Sequence, residues 1–250
     1  MAGNDKYINW EAAVALGKTV GNEAWNIFGY STAATGNLKA MWYRATDYVF
    51  PPAAQIMQVK SDNAADTMNL LIQGLDANYD RISETVTLAG TSVVVTTKEY
   101  LRINGVIILA GTNAGTIDIG DDLAGTPTYY KGIRPGDGRC QDSFTTIPRG
   151  YQFMLYRIDA FSADGTAAKP GVFRNYVANE SGRILNVART TFFNNMNIQR
   201  RIPFVYSEKT DIQLQCSPAS GTHEMGVFGE GILHEMDKQD HLNNLEKDFT

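Results

Sequence analysis

From Pro51 onward, apolar and polar residues alternate with a period of about two. In "RISETVTL", residues 81–88, Ile82, Val86 and Leu88 fall on one face and Arg81, Ser83, Thr85 and Thr87 on the other. That is the pattern of a half-buried strand. The apolar "MNLLIQG" precedes it, and "GLDANYD" between them carries Gly74, Asp76 and Asn78 as turn residues. The pair predicts a β-hairpin with a longish loop. Similar runs follow: "SVVVTT", "EYLRINGVIIL", "GTIDI", "SFTTI", "YQFMLYRIDAF", "GVFRNYV", "GRILNVAR", "PFVYS", "DIQLQC" and "MGVFGEGIL". Short β-branched and aromatic segments between Gly, Pro, Asn and Asp clusters predict an all-β fold, a β-sandwich or jelly roll spanning residues 46–235.

Three stretches depart from this alternation. Residues 1–45 are rich in Gly, Ala, Asn and Thr and read as an extended N-terminal arm. Trp10, Trp25, Phe28, Trp42 and Tyr43 stud this arm and are its candidate interaction residues. Large rings spaced along a weakly structured stretch suit docking onto another surface. The alternative is that they pack on the chain's own β domain. Residues 111–142 are Gly-rich and read as a long loop inserted in one sandwich, or as the divide between two halves. Residues 236–250, "MDKQDHLNNLEKDFT", read as a polar C-terminal tail.

Composition narrows the function classes. The 250 residues are 43% hydrophobic and 20% charged, with a net charge of −5. Mild acidity offers no basic footprint for nucleic acid. No apolar run approaches the ~20 residues of a membrane helix, so no membrane partner is expected. Asp5, Lys6 and Glu11 stand where a secretory signal would need an apolar stretch. Cys140 and Cys216 are expected as free thiols of a chain assembled in a reducing cytoplasm.

The motifs with catalytic overtones do not hold together. Ala12 followed by Gly17-Lys18-Thr19 matches a relaxed phosphate-binding loop, but no buried strand leads into it, and Gly21 and Gly29 interrupt the helix that should follow. "DANYD" spaces Asp76, Asn78 and Asp80 like the opening of a calcium loop, yet Arg81 and Thr87 stand where Gly and Glu are required. "HEM" occurs at His223 and His234, but Val227 and Lys238 replace the second zinc histidine. His241 stands outside any such pattern. No catalytic residue, metal ligand or cofactor site is therefore assigned, and the chain reads as a non-enzyme. Arg200 and Arg201, with Arg149 and Arg157, form a possible polar strip at a subunit contact or a solvated outer face.

"SDNAADT", "IQGLDANYDRISETVTLAGT", "VVTTKEYLRING", "AGTNAGTI" and the "DYVFPPAA" step (Tyr48, Phe50, Pro51) resemble a family of β-rich virion structural proteins of tailed bacteriophages of marine and freshwater bacteria, including cyanobacteria. The likeness covers about residues 25–120. It implies a virion protein assembled in the host cytoplasm and supplies no catalytic residues. The leading expectation is a capsid decoration or cement protein, a homotrimer that bridges capsomers and contacts the major capsid protein or other virion proteins. Three alternatives stand beside it: a tail, neck or baseplate component; a host-glycan-binding module using Tyr129, Tyr130, Tyr151 and Tyr156; and a hydrolase.

Overall fold

The computed structural model describes residues 10–162, 170–179 and 183–236. These form one short helix, α1 (Trp10–Ala15), and sixteen strands in three antiparallel sheets, so the fold is all-β as the alternation predicts. The largest sheet runs β1 (Asn22–Ala34), β16 (Thr222–Glu235), β11 (Tyr151–Ser162), β14 (Asn195–Tyr206), β13 (Ile184–Phe193), β12 (Pro170–Ala178), β15 (Asp211–Pro218) and β10 (Phe144–Thr146). The two-residue β2 (Lys39–Ala40) also pairs with β15.

This sheet folds over on itself. β13 and β14 pair only at Phe193 and Asn195, around Asn194 with φ 57°. The strands on either side of that turn form two layers with a shared core. Ile27, Phe153, Leu155, Val227 and Leu233 come from one layer, and Phe173, Ile212, Leu214 and Cys216 from the other. Interdigitating inner faces of this kind make a β-sandwich.

A second core lies in the chain between β2 and β10. One sheet runs β6 (Val94–Tyr100), β3 (Gln55–Ser61), β8 (Ile117–Asp121) and β9 (Thr128–Ile133). The other runs β5 (Arg81–Thr87), β4 (Asn69–Leu75) and β7 (Arg102–Ile108). Met57, Val59, Leu70, Ile72, Val106, Ile117 and Ile119 fill the space between them. β4 and β5 are the hairpin read from the sequence, in register from Asn69–Thr87 to Leu75–Arg81. Its loop is a turn built on Asp76, whose Oδ1 accepts the amides of Asn78 at 2.8 Å and Asp80 at 2.9 Å. The sequence expectation of one sandwich with an insertion thus becomes two cores, the second nested within the first.

Two boundaries are corrected. The arm expected over residues 1–45 is, from Asn22 to Ala34, a full strand paired along its length with β16. Its small residues are there for packing. A Cβ on Gly29 would lie 2.0 Å from the Met41 carbonyl oxygen and 2.5 Å from the Ser143 amide nitrogen. The loop expected over 111–142 contains the "GTIDI" strand as β8 and, unexpectedly, β9, a hairpin whose Gly120 lets the backbone of Thr128 approach. Glycine served close approach in both places, where composition alone reads as looseness. Of the expected tail, Met236 is buried and its amide donates to the Gly150 carbonyl at 2.8 Å. Residues 237–250, and residues 1–9 of the expected arm, lie outside the described residues.

Candidate functional site

The five aromatic residues expected to face a partner pack largely within the chain, in separate places. Trp42 is 1% exposed, and its indole N–H donates to the Thr46 carbonyl at 2.8 Å. It sits edge-on to Tyr43, Tyr48 and Phe144 in a small aromatic cluster between the two cores. Tyr43 donates to Asp118 Oδ1 at 2.8 Å, an oxygen that also accepts from Arg44 at 2.9 Å. Trp25 is half-buried against the outer core. Phe28 faces the opposite side of β1, with Tyr30 at 6.2 Å and Phe228 at 6.5 Å between ring centroids. Trp10, 43% exposed at the start of α1, is the most open of the five. The structure brings Trp42 and Tyr43 together and leaves the other three apart from them.

The remaining sequence motifs are placed as follows. α1 ends before Gly17-Lys18-Thr19, and a strand follows, the reverse of a phosphate-binding order. Asp80 is held by Arg149 through two contacts of 2.9 and 2.6 Å. His234 Nδ1 lies 2.9 Å from Asn22 Oδ1 at the β1–β16 seam. No group of three or more His, Cys, Asp or Glu side chains placed to hold a metal occurs among the described residues. Tyr129 and Tyr130 lie on β9 and Tyr151 and Tyr156 on β11, in different sheets, and Tyr130 is buried. They do not form a single sugar-binding platform.

One group of exposed apolar residues lies on β13 and β14, while others such as Val20, Leu16, Val49 and Val95 are scattered. Ile202 is 77% exposed, Phe193 66%, Val205 56% and Ile184 56%. Among the described residues, β14 pairs with β11 along one edge and β13 with β12 along one edge, and the two meet only at their turn. Each therefore presents a long open edge beside exposed apolar side chains. Such edges are templates for pairing with another chain unless charge guards them.

Here the charge is all of one sign. Residues 183–207 contain Arg183, Arg189, Arg200 and Arg201 with no Lys, Asp or Glu, in a chain of net charge −5. Arg174 and Arg189 stand directly opposite each other across β12 and β13. Burial and the Arg189 charge both push the Arg174 guanidinium below its ordinary value. Like charges in register oppose sheet formation, and the Arg174 guanidinium donates to the neutral Gln215 Oε1. Arg200 covers the Phe204 ring at 4.1 Å. It lines a groove of about 840 Å³ with Arg157, Arg201, Tyr156 and Glu230, beside Val14 of α1. Of the four arginines picked out as a strip in the sequence, Arg157, Arg200 and Arg201 share this groove and Arg149 lies elsewhere. The signal missed in the sequence was the run of twenty-five residues without an acid, laid over two strands longer than the short segments suggested.

No family model matches the chain, and the comparison with curated proteins gives no match. Among solved structures the chain is similar to "PBSX exported protein XepA", with 10% sequence identity over 84% of this chain and 86% of that one and a TM-score of 0.18. A likeness at that TM-score carries no argument about fold or function.

Proposed function

We propose that this chain is a non-enzymatic structural protein of a bacteriophage particle, a head decoration or cement protein that docks onto neighbouring subunits through β13 and β14. The observation that carries this reading is the pair of open strand edges with exposed Ile184, Phe193, Ile202 and Val205 and four arginines. Apolar residues supply the buried area of a contact, and one-signed charge selects and orients an acidic partner. The resemblance over residues 25–120 and the all-β architecture agree with a role in the virion. With Trp42 buried and β1 part of the sandwich, the anchor moves from the N-terminal aromatics to the β13–β14 hairpin. Assembly as a homotrimer beside the major capsid protein belongs to the same proposal.

Chemical cross-linking of intact particles, followed by peptide mapping, tests this reading. Cross-links from residues 183–207 to another virion protein, or to a second copy of the chain, support it. Cross-links confined to other faces of the chain contradict the hairpin as the anchor.

A further inference from the structure

Lys131 and Asp142 form a buried ion pair. Nζ lies 2.9 Å from Oδ2, and each side chain is 1% exposed. The Phe144 ring holds the ammonium from one side, with its centroid 3.8 Å from Nζ. Tyr48 stacks on that ring at 3.5 Å. Burial raises the Tyr48 hydroxyl well above its ordinary value, and the Asp142 charge adds to this. The second carboxylate oxygen, Asp142 Oδ1, has no hydrogen-bond partner. Cys140 lies beside the pair, and burial first, then the Asp142 charge, pushes its thiol up to about 12.

A buried ion pair offsets its desolvation only when its remaining lone pairs are satisfied. This one leaves a carboxylate oxygen unsatisfied, with the Cys140 thiol beside the carboxylate. A neutral amide in place of the pair would carry no charge into such a site.

We propose that Lys131 and Asp142 join in an intramolecular amide, an isopeptide bond between β9 and the segment entering β10. The Lys131 ammonium passes a proton to the Asp142 carboxylate. The lone pair of the neutral amine then adds to Asp142 Cγ, forming the N–C bond. The C–O bond breaks, and the hydroxyl leaves with a proton from nitrogen as one water. Atoms and charge balance, and no oxidant, reductant or co-reactant is needed. Held contact replaces a chance encounter, which lowers the entropic part of the barrier. A groove of about 270 Å³, lined by Lys131, Cys140, Asp142 and Trp25, gives the water an exit. The bond removes both buried charges and ties the inner core to the outer sandwich. It is independent of the role proposed for β13 and β14.

The test is the mass of the purified, denatured full-length chain, followed by tryptic mapping. The expected result is a chain lighter by one water, no cleavage after Lys131, and a branched peptide joining Lys131 to Asp142. Asp137–Gly138 and Asp164–Gly165 also lose water when they cyclise to succinimides. Those products reopen in mild base and leave cleavage after Lys131 intact. An unmodified mass, or a water loss that maps to Asp137–Gly138 or Asp164–Gly165, overturns the proposal. The Lys131→Arg variant should show no water loss, and its persistence there also overturns the proposal. The wild-type peptide map decides by itself, whatever the solubility of the variant.

Discussion

Arg102 of β7 grips Asp211 of β15 with two parallel hydrogen bonds, Nε to Oδ1 at 2.9 Å and Nη2 to Oδ2 at 2.8 Å. The pair joins the inner core to the outer sandwich across 109 residues of sequence. Arg102 Nη1 also donates to the carbonyls of Pro51 and Leu101, each at 2.8 Å, so the whole guanidinium is committed. Thr146 donates to the same Asp211 at 2.5 Å. Removing one partner leaves the other charged and largely buried. Arg102→Ala should therefore lower the stability to urea by about 3 kcal/mol, and Asp211→Asn by a similar order. An Arg102→Ala chain with an unchanged urea midpoint would remove this pair as the clamp between the cores.

Asp66 makes stability depend on pH. Burial acts to raise its carboxyl, but hydrogen bonds from Ser61 and from the amides of Ala114 and Gly115 outweigh this and hold it below its ordinary value. A depressed carboxyl contributes stability that is present above the unfolded value, near pH 4, and lost as pH falls through the folded value. Denaturation midpoints should therefore drop below about pH 4. Asp66→Asn should lose about 1–3 kcal/mol at neutral pH and flatten the acid dependence. An equally steep acid dependence in the variant would assign that pH response to other carboxylates.

The N-terminal strand is structural. A chain lacking residues 2–45 loses β1 and β2 and should fail to fold cooperatively by circular dichroism and thermal melting. Gly29→Ala makes the same point with one methyl group. The new Cβ meets two backbone atoms that cannot turn aside, so a loss of about 3 kcal/mol is expected, the upper end of overpacking costs. A truncated chain that melts cooperatively would restore residues 22–45 to the status of an arm.

Some of this was legible in the sequence and some was not, for identifiable reasons. Ile82, Val86 and Leu88 announced β5 because a half-buried strand needs period two, and "DANYD" announced its turn. β1 was hidden because its inward positions include Gly29, Ser31 and Ala33, chosen for close approach and carrying little hydrophobic signal. "GTIDI" announced β8, but β9 was hidden in the same way, by Gly132 within it and Gly125 before it. Trp42 and Tyr43 were recognised as important from their type. Whether they faced inward or outward depended on Phe144 and Asp118, far along the chain, which no local pattern reveals. The arginines of the groove were noticed, but Arg149 was grouped with them because its partner Asp80 lies 69 residues away.

The β13–β14 surface should matter for assembly and little for folding. Ile202→Glu places a charge on a residue already 77% exposed, so its melting temperature should match the wild type, with a change of less than about 0.5 kcal/mol. Binding to particles, measured by co-sedimentation, should fall at least tenfold. A variant that binds as well as the wild type would release this surface from the proposed role.

Quantitative protein staining of purified phage particles tests the central claim most directly. The account predicts this chain in a fixed ratio to the major capsid protein, near one to one or one trimer per few capsomers. A count in the tens at most would move it to the neck or tail. Its absence from washed particles would contradict a structural role in the virion.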